Sequence, residues 1–365
     1  MRFGAKFLLL CLSLGLATAA PGHAADWQAG APPAWQTVLT AAKAEGRVVV
    51  AGRSGMARGL SEGFKRDTGL DIDFLEGESR DLSSRLTREM RAGQVSLDLL
   101  LGAQTTIDFV KQGYMKPIAP QLLLPGVTEG KHWADGKLKW MDKSATYLFE
   151  PSEFLFGQPI FNSDLVKPGE IGAWRDLLQP QYKGKIAAFD PRAVGAGQAA
   201  AAYLAEALGI DFVKQLYAGQ AVVFTGNARQ LVEWVARGTY AVGLGATPPE
   251  IEEYRTKLHN IAVGAMSDGP GSLLGGSSVV AEPKAAPHPN AAQVFLNWYA
   301  SQPAQQIYAE TWRAPSRRTD VAVASIPDYV KPKPGVRYLD QYEEDWYVNA
   351  RPKVQSAIVE ALGGR

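Results

Sequence analysis

The chain has 365 residues, of which 46% are hydrophobic and 21% charged, with 38 Lys+Arg against 37 Asp+Glu. That balance argues against nucleic-acid and anionic-membrane partners, which call for a basic surface. One cysteine, Cys11, lies in the first apolar run, so a processed chain has neither disulfides nor thiolate chemistry.

Arg2 and Lys6 precede apolar residues 7–20, and Gly22-His23-Ala24 offers a small-residue cleavage site. This pattern predicts a secretory signal peptide over 1–24, too short to be a transmembrane anchor. Leu10 stands before Cys11 where a lipoprotein signal wants a small residue, so lipidation is not expected. Without the leader, 36 Lys+Arg remain against 37 acids. About 340 residues suggest two domains. No later apolar run has the length to span a bilayer.

Trp35, Val38, Leu39 and Ala42 fall at helical spacing, and Gly46 stops that helix. Residues 47–51 read as a buried strand, followed by the loop Gly52-Arg53-Ser54-Gly55-Met56 and a helix carrying Leu60 and Phe64. Leu70, Ile72 and Phe74 alternate as a second strand, residues 76–80 form a loop, and Leu82, Leu86 and Met90 stripe the next helix. Leu97 to Leu101 is a third strand, with Gly102-Ala103-Gln104-Thr105 after it. Three strand–helix units in a row predict a doubly wound, mainly parallel sheet, whose ligands bind beyond the carboxyl ends of the strands. Residues 52–56, 76–80 and 102–105 are therefore one expected rim of a site.

Residues 117–150 are rich in proline and tryptophan and read as irregular chain with short strands. Strand character resumes at 154–156 and 159–161. Lys185 to Ala188 is an apolar strand that leads through Phe189-Asp190-Pro191-Arg192-Ala193-Val194-Gly195-Ala196-Gly197 into an Ala-rich helix. A strand, a Gly-bearing turn and a helix start converge free backbone N–H groups and a dipole, an arrangement that holds an anion. The same residues also suit an ordinary strand-to-helix turn. Arg192 either grips a carboxylate with its planar fork or forms a hinge or surface salt bridge. Further strand–helix units at 221–235 and 240–257 give a second rim at 192–198, 225–229 and 245–249. The Gly-rich stretch 267–278 reads as a return between lobes, and a helix is expected from about Glu343 to Leu362.

Local phrases add a resemblance. Ala41-Ala42-Lys43-Ala44-Glu45-Gly46-Arg47-Val48-Val49-Val50, Asp190-Pro191-Arg192 with Gly195-Ala196-Gly197, and Trp234-Val235-Ala236-Arg237-Gly238-Thr239-Tyr240 carry it first. Pro287-His288-Pro289-Asn290-Ala291-Ala292 and Ser316-Arg317-Arg318-Thr319-Asp320-Val321 complete it, in order. Together these resemble the substrate-binding proteins of ferric-type ABC transporters. The resemblance implies a two-lobed periplasmic binding protein of type II, each lobe a doubly wound α/β sheet, with a hinge between them. The implied division is 25–150 with 262–345 in lobe 1 and 151–261 in lobe 2, with 346–365 a helix of unassigned lobe. Ferric members hold iron with two adjacent tyrosines, and Pro248-Pro249 stands at that place here. A non-iron member is thus expected, with no metal and no cofactor, acting as a monomer.

The implied function is that of a periplasmic receptor that closes on a small organic anion (carboxylate, phosphonate or sugar phosphate) and meets an inner-membrane ABC permease. The candidate ligand residues are Ser54, Gly55, Met56, Ser79, Gln104, Arg192, Gly195, Ala196, Gly197, Asn227 and Thr247. Rival readings are a ferric or ferric-chelate receptor, a sensory receptor and a secreted hydrolase. His132, His259 and His288 have no metal spacing, and neither a nucleophile elbow nor a phosphate loop is present, so an enzyme is not expected.

Overall fold

The structure is a computed structural model that describes residues 26–269 and 271–363; the signal peptide expected over 1–24 lies outside these. The chain begins with α1 (Pro33–Glu45), β1 (Arg47–Gly52), α2 (Ala57–Thr68), β2 (Asp71–Glu76), α3 (Ser79–Ala92), β3 (Leu99–Leu101), α4 (Ile107–Lys111) and β4 (Met115–Lys116). Gly46 ends α1 at φ 78°, which a glycine adopts without a Cβ penalty, and returns its N–H to Ala42 O. The β-branched run Val48–Val50 is buried on both faces, as a strand covered by helices requires.

After the short helix α5 (Pro125–Thr128), β5 (Phe154–Phe156) leaves the first lobe. The second lobe follows as β6 (Ile160–Asn162), β7 (Ile186–Phe189), α6 (Ala196–Leu208), α7 (Ile210–Lys214), β8 (Val223–Thr225), α8 (Ala228–Ala236), β9 (Val242–Leu244), α9 (Pro248–Leu258) and β10 (Ile261–Val263). The chain then returns through β11 (Ser272–Leu274) to β12 (Val280–Pro283), α10 (Pro289–Tyr299) and α11 (Gln302–Trp312). It ends with β13 (Leu339–Asp340) and α12 (Arg351–Leu362).

Two five-stranded sheets result, with strand orders β2-β1-β3-β12-β4 and β10-β6-β9-β7-β8. β1 pairs in parallel with β2 and β3, and β7 with β8 and β9. The antiparallel strands are β12, against β3 and β4, and β6, against β9 and β10. Both follow directly from the crossings, so they enter their sheets from the cleft end and run against the strands that finish there. Each sheet is therefore mixed, with its parallel part made of the strand–helix units legible in the sequence.

The crossings are themselves hydrogen-bonded. β5 pairs antiparallel with β11, and β13 adds a parallel third strand. The Gly-rich stretch read as a return thus contains a hinge strand. The C-terminal helix α12 packs on α6 and α7, and its Ile358 and Leu362 are buried in the core of the second lobe.

The first lobe is built on an aromatic cluster. Phe64 lies 5.2 Å from Trp298 and 5.5 Å from Phe295, which stacks on Tyr299. The irregular stretch 117–150 is fixed by buried polar side chains rather than by strands. Asn297 Oδ1 accepts from the N–H groups of Leu123 and Leu124, and Asp142 accepts from those of Thr146, Tyr147 and Leu148. Arg318, one of the family-like residues, forks Asp320 and donates to the carbonyls of Gly126 and Ala300.

Asp98 ties β1 to the start of α10. Fully buried, it accepts from Val49 N at 2.7 Å and His288 N at 2.6 Å, with His288 Nδ1 2.9 Å away. Hydrogen bonds to a charged group are each worth about 1.5–3 kcal/mol, and the orphaned N–H groups add a desolvation cost. Asp98→Ala is expected to lose about 4 kcal/mol, on the scale of two such bonds; urea unfolding with an unchanged midpoint would refute this account.

A second buried charge sits beside the hinge. Lys139 Nζ is 2.7 Å from Asp340 Oδ2 and 3.4 Å from Glu150 Oε1, and it also pairs with Glu153. Burial pushes the Glu150 carboxyl up to about 8, against the pull of Lys139. Lys139 itself is held above its usual range: burial lowers it, but the carboxylates of Glu150, Asp340 and Glu153 outweigh that. A carboxyl raised in the folded state keeps a proton that the unfolded chain has lost. Its stabilisation is complete below about pH 4.5 and is lost as pH rises towards 8. Thermal melts of the wild type should therefore fall between pH 5 and 8, and Glu150→Gln should flatten that slope; parallel slopes would contradict it.

Candidate functional site

The carboxyl ends of β1, β3, β7 and β9 border one cleft between the two sheets. Its cavity encloses about 160 Å³ and has contributions from both sheets, from the hinge strands and from the C-terminal segment.

The wall from the second lobe begins at the end of β7. Gly195 takes φ 146° and ψ −161°, a conformation that suits glycine, and α6 starts at Ala196 with no side-chain cap. The first N–H groups of α6 have no intrahelical partner, and Ala193, Val194, Gly195 and Ala196 line the cavity. Gly197 serves packing instead: a Cβ there would stand 2.3 Å from Phe189 O. Asn227 is exposed and caps α8 by accepting from Gln230 N at 3.0 Å, while its neighbours Gly226 and Ala228 line the cavity. Thr247 also lines the cavity and gives its hydroxyl to Glu250 at the start of α9.

Arg192 needs a correction. Its Nε and Nη2 fork Asp190 at 2.9 and 2.8 Å, and its guanidinium lies 5.2 Å over Phe224. Asp190, chiefly by hydrogen bonding, raises the guanidinium further above its ordinary value. Arg192 does not line the cavity, so the salt-bridge reading describes it and the anion grip does not.

On the first lobe, the loop after β1 contributes a different residue from those expected. Ser54 and Gly55 are exposed and do not line the cavity, and Met56 is 2% exposed in the core. Met56 turns inward because it packs under the start of α2 with Leu60 and Phe64. The contributor is Arg53. Its Nη2 donates to Glu250 Oε1 across the cleft at 3.1 Å, and its Nε is 3.6 Å from Glu78 Oε2 without a hydrogen bond. The Arg53 guanidinium lies 5.2 Å over the ring of Trp312. Gln104 lines the cavity, and its Oε1 is buried with no partner among the described residues. Ser79 opens α3, and its side chain lies outside the described residues.

Several lining residues were not found from sequence as site residues. Phe154 and Phe156 of the hinge form an apolar wall with Phe189 and Leu274. Trp312, 4% exposed, lines the cavity, and its indole Nε1 is buried without a partner among the described residues. Gln341, Tyr342, Tyr347 and Arg351 come from the C-terminal segment. Burial raises the Tyr342 phenol well above its ordinary range, and raises that of Tyr347 despite the nearby Arg351, so both stay neutral. No spacing or composition marks these residues, because only the return of the tail across the hinge brings them to the cleft.

Comparison with known proteins agrees with this architecture. A sequence model of the family described as "Bacterial extracellular solute-binding protein" matches residues 60–334. The chain aligns with less than two fifths of the length of the curated relatives it matches. One of them is iron uptake protein A1 of Synechocystis, 24% identical over 129 residues, or 34% of this chain and 31% of that protein. Among solved structures, the periplasmic binding protein AfuA of Actinobacillus pleuropneumoniae, with fructose-6-phosphate bound, superimposes with a TM-score of 0.72 at 16% identity. That match covers 87% of this chain and 99% of AfuA. Iron-bound HitA of Pseudomonas aeruginosa gives a TM-score of 0.64 at 14% identity, covering 86% and 99%. At these identities the likeness shows the fold: a two-lobed periplasmic binding protein. With the family match covering most of its length, this chain belongs to the bacterial extracellular solute-binding proteins.

Proposed function

We propose that this protein is a periplasmic receptor of an ABC importer and that it binds a small organic anion between its lobes. The observation that carries the reading is the uncapped start of α6 at the cavity, with the guanidiniums of Arg53 and Arg351 in the same walls. Partial positive charge at a helix start and the Arg351 cation favour a negative solute. Phe154, Phe156 and Leu274 give its body an apolar face.

Bare Fe³⁺ suits this cleft less well. The cavity's carboxylates, Glu78 and Asp190, stand against Arg53 and Arg192, and Pro248-Pro249 opens α9 with no ligating side chain. Arg53 and Glu250 already join the two walls, so a ligand that touches both stabilises the closed form, which a permease would recognise.

Two measurements test this. A thermal-shift screen against carboxylates, phosphonates, sugar phosphates and ferric citrate should find a stabilising acid. With it, small-angle scattering should show a smaller radius of gyration than the free protein; superimposable curves at saturation would count against hinge closure.

The second measurement separates binding from folding. Ala196→Asp places a carboxylate in the first turn of α6, where it favours the helix by about 0.3–1 kcal/mol, yet it occupies the position proposed for the solute's acid. Losing two charge-assisted hydrogen bonds at about 1.5–3 kcal/mol each weakens binding by roughly two to four decades. Ala196→Asn, similar in size but neutral, should bind far better than Ala196→Asp. Calorimetry that finds the two variants equal would move the acid group elsewhere.

A further inference from the structure

Arg351 stands apart from the other arginines of the cleft. Arg53 has Glu250 at 3.1 Å and Glu78 at 3.6 Å, and Arg192 forks Asp190. Among the described residues, no carboxylate lies within 4 Å of the Arg351 guanidinium; its partners are the neutral amide of Gln198 and the ring of Tyr347, 4.1 Å from its centroid. Gln198 sits in the first turn of α6, so this uncompensated cation stands beside the uncapped helix start.

The guanidinium is also held firmly. Asp340 pairs with Lys139, Gln341 Nε2 donates to Ser272 Oγ at 2.6 Å and to Ala199 O at 3.0 Å, and Glu344 accepts from Lys143 N at 2.7 Å. Beyond Arg351, α12 is anchored in the core of the second lobe. The segment therefore fixes Arg351 against both lobes, and it lies beyond residue 334, where the family match ends.

We infer that Arg351 is the charge partner of the solute and that the solute is a monocarboxylate with an apolar body. The inference rests on the cleft being the solute site. One uncompensated guanidinium calls for one acid, and its planar fork matches the two oxygens of a carboxylate. The wall also carries the rings of Phe154, Phe156, Phe189, Trp312, Tyr342 and Tyr347. The cavity of about 160 Å³ has room for a benzene ring, for which ~150 Å³ suffices, and a second space of about 400 Å³ shares Val194, Tyr347 and Arg351 with it.

Benzoate is the probe, with benzamide as its neutral isostere. Titration calorimetry and thermal shift should show benzoate binding to the wild type and benzamide at least tenfold weaker. Arg351→Gln should lose benzoate affinity at least tenfold while keeping a donor for Gln198, and Arg351→Lys should fall between. Circular dichroism and ligand-free melting of both variants check that the fold is kept. Absent benzoate binding, benzamide binding equally well, or equal affinity in Arg351→Gln overturns the inference. If another acid then binds the wild type and is lost in Ala196→Asp, the anion receptor stands and only the assignment of Arg351 and of the solute class falls. If no acid binds, both fall.

Discussion

The antiparallel pairing of β5 with β11 is the constraint on which the rest of this structure depends. Because the first two crossings hydrogen-bond to each other and the C-terminal segment adds a third strand beside them, the lobes are joined along one short sheet. β12 and β6 leave those crossings and enter their sheets from the cleft end, so the parallel strands finish facing each other. The hinge also carries a buried carboxyl. Gly275 makes room for Glu150, since a Cβ there would stand 2.5 Å from Glu150 Oε1. A buried acid is tolerated by staying protonated or by pairing, and Glu150, pushed up to about 8, keeps its proton at neutral pH beside Lys139.

The charges in the cleft divide into two kinds. Arg53 and Arg192 are matched by carboxylates and hold the walls in shape; Arg53 does so across the gap between the lobes. Arg351 and the start of α6 are matched by nothing charged. A preformed positive region in a partly desolvated cleft interacts with an anion more strongly than the same groups in water, because the local dielectric is lower. Paired groups give geometry, and unpaired ones leave binding energy for a ligand.

The C-terminal segment has a structural part as well as a chemical one. It adds the third hinge strand, crosses the mouth of the cleft and ends in the core of the second lobe. Its carboxylates meet Lys139 and Lys143 of the first lobe, and its Gln355 donates to the Pro191 carbonyl of the second. A ligand held by Arg351 would therefore report to both lobes through one short stretch of chain.

The sequence by itself determined the strand–helix units. Val48–Val50, Leu99–Leu101 and Ile186–Phe189 are apolar runs whose only stable solution is a covered sheet, and Gly46, Gly69 and Gly93 end helices through local backbone freedom. It also marked the strand–turn–helix at Gly195–Ala196, because that signal is local. Tertiary structure alone decided which side chains face the cleft. Met56 and Ser54 belong to one loop, yet one is in the core and the other in solvent, and the neighbouring Arg53 is turned inward by Glu250, a residue 197 positions away. The sequence left Arg192 open between an anion grip and a salt bridge, and Asp190 takes its fork. Tyr347 and Arg351 come to the site only because the tail returns across the hinge, and no local pattern encodes a contact made between segments about 150 residues apart.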